Sequence, residues 1–143
     1  MKKKLSVIIA IALVIATITA PSALALSVLK ASDFFEAYSA NITKSSTTMT
    51  ISFDVDATGT MTTLGVSSIK IYVRSSSTAA WSLLATLTSP ATTGLTGSNC
   101  ATYSSSVGYT GTAGKQYYAS VTFYAANSSG TGSRSHSTNT VTL

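Results

Sequence analysis

Charge is scarce in this chain, and acidic charge scarcest of all. Its 143 residues carry four acidic side chains, Asp33, Glu36, Asp54 and Asp56, against nine basic ones. Four carboxylates are too few to build an oxygen shell for calcium without heavy use of backbone groups. Lys2, Lys3 and Lys4 account for three of the basic residues. The rest, Lys30, Lys44, Lys70, Arg74, Lys115 and Arg134, leave a net of +2 once residues 1–25 are set aside. They are scattered, and no Lys/Arg run is present to neutralise a phosphate backbone, so nucleic acid is not an expected partner. Cys100 is the single cysteine, which excludes an internal disulfide. It is expected to pack as a small hydrophobe. His136 is the single histidine, so no Cys/His zinc set can form. No cofactor is expected.

What is present begins with a targeting pattern. Lys2–Lys4 form a positive n-region, and Leu5–Ala20 is a nearly unbroken apolar run. Pro21-Ser22 interrupts it, and Ala23-Leu24-Ala25 places small residues where a signal peptidase reads them. Residues 1–25 therefore read as a secretory signal, cleaved after Ala25. Retention as an anchor is the alternative, although the run is shorter than the roughly 20 residues a span prefers. Contact with the membrane is expected only in transit. No sortase-type tail or lipid-attachment cysteine is evident, so the mature chain is expected to be released outside the cell.

Residues 26–35 read as a lead-in, with a helical turn near Ala31–Glu36 capped by Ser32-Asp33. From residue 36 to residue 143 the chain reads as one domain. Alternation through Tyr38, Ala40 and Ile42 predicts a first strand. Thr47–Ala57 predicts a second, with Met49, Ile51, Phe53 and Val55 on one face, ended by Thr58-Gly59-Thr60. Met61–Val66 reads as a connection with Leu64 and Val66 tucked beneath it. Ser68–Ser75 predicts a third strand, and Trp81–Leu87 a fourth with Trp81, Leu83, Ala85 and Leu87 on one face. A loop through Pro90, Gly94 and Gly97 follows. Thr102–Tyr109 is a weaker strand with Tyr103 and Val107 as candidates for burial. The clearest strand runs from Tyr117 to Asn127. Tyr117, Ala119, Val121, Phe123 and Ala125 share its apolar face, because successive side chains on a strand point to opposite sides. A Gly-rich turn leads to a last strand, Arg134–Leu143. About seven strands with turns at short intervals predict an all-β fold, an antiparallel two-sheet sandwich.

The stretch Gly114, Tyr117, Val121, Phe123, Ala125, Asn127, Gly130 and Gly132, with the final Thr138–Leu143, resembles the end of a fibronectin type III module. Thr50-Ile51-Ser52-Phe53-Asp54-Val55 resembles the second strand of such modules. The resemblance covers about half of the mature chain. It implies an immunoglobulin-like sandwich in which Tyr117 occupies the tyrosine corner, its phenol oxygen tied to nearby backbone. It also implies that the third strand and the Tyr117 strand are neighbours in one sheet. The chain departs from the pattern in having Phe53 where tryptophan is usual, with Trp81 on the fourth strand instead. It is also similar to small secreted sandwich proteins of Gram-positive bacteria that have no assigned activity. Phe53, Trp81, Tyr117, Val121 and Phe123 are read as structural.

No constellation predicts catalysis. Asp54 and Asp56 sit two apart on an outer strand face and read as solvated. A Ser-His-Asp set could be drawn around His136, but no Gly-x-Ser-x-Gly turn supports it, and the protein is not expected to be an enzyme. Asn41-Ile42-Thr43 and Asn127-Ser128-Ser129 fit the glycosylation sequon, with no glycan expected in a bacterial source. The one surface feature that suggests a ligand is aromatic. Tyr72, Tyr118 and Tyr124 are expected to point outward from one sheet near Lys70 and Arg74. Such a face suits an extracellular protein or glycan. The plain alternative is cross-strand aromatic pairing. The expected role is a secreted, non-enzymatic binding module, with a carbohydrate-binding module or a self-assembling matrix or coat component as alternatives.

Overall fold

The computed structural model describes residues 34–143. The expected signal segment, and the lead-in as far as Asp33, lie outside the described residues. The described chain contains no helix. Its strands are β1 (Phe35–Ser45), β2 (Thr48–Met61), β3 (Thr63–Arg74), β4 (Ser82–Thr88), β5 (Thr96–Gly97), β6 (Cys100–Thr110), β7 (Gln116–Asn127), β8 (Gly130–Ser137) and β9 (Val141–Thr142). They form two antiparallel sheets. One has the order β1-β2-β6. The other has the order β4-β3-β7-β8, with β5 pairing β3 and β9 pairing β7. The fold is an all-β sandwich.

Period-two alternation builds the core. On β7, Tyr117, Ala119, Val121, Phe123 and Ala125 are buried, and the residues between them are half-buried. On β2, Met49, Ile51, Phe53, Val55 and Ala57 are buried, facing the same core from the other sheet. Ile69 and Ile71 of β3 complete the centre. Each such large side chain contributes about 1.5–3 kcal/mol relative to exposure.

Phe35 and Glu36 belong to β1, so a helical turn does not reach Glu36. Phe35 is buried and pairs with Ala57 across the sheet. The second strand does not stop at Thr58-Gly59-Thr60 but runs on to Met61, which is buried. Leu64 and Val66 are not in a connection. They lie in β3, which starts at Thr63, and Val66 pairs with Phe123 of β7. Thr62 alone joins β2 in one sheet to β3 in the other. Tyr103 and Val107 of β6 are half-buried rather than buried. Cys100 is likewise half-buried, packed at the margin of the core.

The last strand is not continuous. β8 ends at Ser137 and β9 begins at Val141. Between them Thr138 turns inward, accepting the Ala119 N–H on Oγ1 at 2.9 Å and donating to the Asn139 carbonyl at 2.9 Å. Asn139 then reaches the other sheet. Its Oδ1 accepts the Ile42 N–H at 3.0 Å and its Nδ2 donates to the Ile42 carbonyl at 2.9 Å. One amide thus satisfies both backbone groups of a residue on the β1 edge. Asn139→Ala is expected to destabilise the domain by about 1–3 kcal/mol in urea unfolding, because both Ile42 groups lose their partner.

Candidate functional site

The outer face of the β4-β3-β7 sheet carries an aromatic cluster. β3 and β7 are antiparallel neighbours, and Tyr72 stands directly opposite Tyr118. Directly opposed residues on antiparallel strands project to the same side, close enough for rings to meet. Their rings stack with centroids 4.9 Å apart and planes 5° from parallel. Arg74 stands opposite Gln116, and its Nε donates to Gln116 Oε1 at 2.8 Å. That bond helps hold the guanidinium over the Trp81 ring, 4.3 Å from its centroid. Trp81 in turn meets Tyr118 edge-on, at 4.6 Å between centroids and 85° between planes. Arg74, Trp81, Tyr118 and Tyr72 therefore form a continuous row.

Trp81 was expected on the same face as Leu83, Ala85 and Leu87. The structure separates them. Ala85 pairs with Ile71 and Leu87 with Ile69, both inward-facing, but Leu83 pairs with the outward-facing Tyr72. The register shifts by one residue between these pairs, which makes Leu84 the extra residue of a bulge. The bulge inverts the alternation for everything before it. Leu83 therefore lies outside, 55% exposed, and Leu84 beside it is 44% exposed. Trp81 follows Leu83 onto the outer face. The Leu83-Leu84 doublet in an otherwise alternating strand is the sequence signal that marks this bulge.

The expected tyrosine face is divided. Tyr72, Tyr118 and Arg74 come together, and Lys70 lies one outward position along β3, opposite Ser120. Tyr124 does not join them. It sits opposite Gly65, six residues along β7 from Tyr118, a separation of about 20 Å at the usual rise per strand residue. There it lines a separate depression of about 240 Å³ with Thr63, Ser67, Ser89 and Thr96.

The residues read as structural fall as follows. Phe53, Tyr117, Val121 and Phe123 are buried. Tyr117 Oη accepts the Thr112 N–H at 2.7 Å and donates to the Thr112 carbonyl at 3.3 Å. Trp81 is half-buried within the aromatic row.

Other polar groups are dispersed. Asp54 and Asp56 line a shallow depression with Ala37, Tyr38 and Ser39 on the outer side of the β1-β2 pair. His136 stands near Tyr38, ring centroids 6.3 Å apart. Among the described residues no three His, Cys, Asp or Glu side chains gather as a metal set. No protein-family model matches the chain, and neither a curated protein nor a solved structure matches it.

Proposed function

We propose that this protein is a secreted, non-enzymatic type III-like module that binds a protein partner outside the cell through the outer face of β4, β3 and β7. The observation that carries this reading is the Arg74–Trp81–Tyr118–Tyr72 row with Leu83 and Leu84 exposed beside it. Trp, Tyr and Arg are the residue types that dominate binding energy at protein interfaces. Here they are held in a fixed arrangement, so little side-chain freedom remains to be lost on binding. Two exposed leucines in sequence add apolar area that a monomer has no internal use for. The type III-like part of the reading is supported by the division of strands. The first, second and sixth strands form one sheet and the third, seventh and eighth the other, as in immunoglobulin-type sandwiches. The Tyr117–Thr112 hydrogen bonds fit the tyrosine corner.

The test is site-specific photo-crosslinking on living producer cells. A crosslinker at Leu83 is expected to capture one discrete partner, whereas the same group at Thr43, on the far edge of the other sheet, captures none. The combined Leu83→Ser, Leu84→Ser and Tyr118→Ser variant should then lose at least about 30-fold in affinity for that partner. It should remain folded, since the Tyr72–Tyr118 pair contributes only about 1 kcal/mol. Equal capture from both positions would remove the proposal. Binding to a glycan array that is lost with Tyr118→Ser would replace the protein partner with a carbohydrate.

A further inference from the structure

We infer that two copies of this chain associate by pairing β6 with β6, joining their three-stranded sheets into one sheet of six. Six strands lie at sheet edges; β5 and β9 are only two residues long, too short to add a further strand, and the four longer ones are not alike. β1 carries Glu36 and Lys44, and β8 carries Arg134 and His136. β4 is distorted by the bulge at Leu84, and its Thr88 carbonyl already accepts the Thr92 N–H. Charges and bulges are the devices by which sheet edges avoid adding further strands. β6 has neither. Its pairing with β2 is unbroken from Thr102 to Thr110. No charged residue occurs anywhere from residue 75 to residue 114, so a like edge can approach it without repulsion.

β6 pairs with β2 on one side only, so every second residue directs its N–H and C=O away from the sheet. Among the described residues, none of these groups from Thr102 to Tyr109 has a hydrogen-bond partner outside β2. The inward side chains of β6 are also incompletely covered. Tyr103, Val107 and Tyr109 are half-buried, whereas the β2 residues opposite them, Val55, Ile51 and Met49, are fully buried.

The strand is complementary to itself. A two-fold axis at Ser106 uses the full span from Thr102 to Thr110. On the inner side it sets Tyr103 opposite Tyr109 of the second copy, and Ser105 opposite Val107. On the outer side Thr102 faces Thr110, Ser104 faces Gly108, and Ser106 faces its own counterpart. Aromatic and Thr–Thr pairs are among the favourable cross-strand neighbours. The interface is isologous and closes as a dimer. It is independent of the aromatic row, which lies on the other sheet.

The register can be read by disulfide trapping in a Cys100→Ser background. Opposed residues in an antiparallel pair have Cα atoms about 4.5–5.5 Å apart, within disulfide reach. Ser106→Cys should therefore oxidise to a covalent homodimer. Ser104→Cys should not, because two copies of residue 104 lie four positions out of register. Both positions are exposed, so neither change disturbs the core. In sedimentation equilibrium the unmodified chain should be a dimer, and the Ser104→Lys/Ser106→Lys variant a folded monomer. An unmodified chain that stays monomeric throughout the concentration series overturns the inference. So does trapping at Ser104 equal to that at Ser106.

Discussion

Gly65→Ala is expected to destabilise the domain by at least about 3 kcal/mol, the combined effect of backbone strain and displaced packing. Gly65 lies within β3 at φ +144°, a conformation that L side chains rarely adopt. A methyl group there would be driven into the Leu95 carbonyl oxygen, 2.8 Å from Thr96 Cα and 3.1 Å from the Tyr103 ring. The first two obstacles are backbone and cannot rotate away. The Leu95 carbonyl also accepts the Val66 N–H at 2.7 Å, and the Leu95 side chain is fully buried. Relief of the clash would lift the loop, break that bond and admit water to Leu95. Urea unfolding should show a lower midpoint with an unchanged slope. Gly59→Ala serves as the control. Nothing lies within 4 Å of its added carbon, so it should stay within about 0.5 kcal/mol of the parent. A Gly65→Ala protein as stable as that control would show that the loop is not seated against β3.

Tyr117→Ala is expected to destabilise by about 3–5 kcal/mol, as large-to-small aromatic changes in cores do. Tyr117 is among the largest fully buried side chains. Its ring is walled by Gly111, where an added carbon would fall 2.8 Å from Cζ and 2.9 Å from Oη. Tyr117→Phe separates the hydroxyl from the ring. It removes both hydrogen bonds to Thr112 and leaves a part-buried N–H without a partner, for about 1–3 kcal/mol. Comparison of the two unfolding curves apportions packing against hydrogen bonding. A Tyr117→Phe protein indistinguishable from the parent would show that the corner is held by packing alone.

Much of this fold is legible in the sequence, and the illegible parts have separate physical causes. β7, and β2 from Met49 to Ala57, alternate without interruption, so their faces can be read directly. β3 and β7 were expected to be neighbours, and they pair from Thr63 through Arg74. Alternation reports only relative facing, however, and it resets at each bulge. In β4 the extra residue Leu84 carries Trp81 from the inner face to the outer, so simple alternation hides the strongest aromatic of the candidate site among the core positions. Across Thr58–Val66, glycines and threonines suggest a break, yet the strands continue because Met61, Leu64 and Val66 reach the core. Tyr124 shares a face with Tyr118, but six residues of β7 separate the two. A shared face does not make a shared site.

The crossing at Thr62 also shapes how the sandwich answers force. β2 and β3 form one ribbon bent at a single residue. Its corner is tied by the Thr62 hydroxyl to the Ala126 carbonyl at 2.8 Å and by the Asn99 N–H to the Thr62 carbonyl at 3.4 Å. A load that drags one sheet across the other is therefore borne at this corner by the covalent backbone, with no slack loop to pay out first. Shear is resisted there first, because the later passages between the sheets, from β5 to β6 and from β6 to β7, run through the longer segments 98–99 and 111–115.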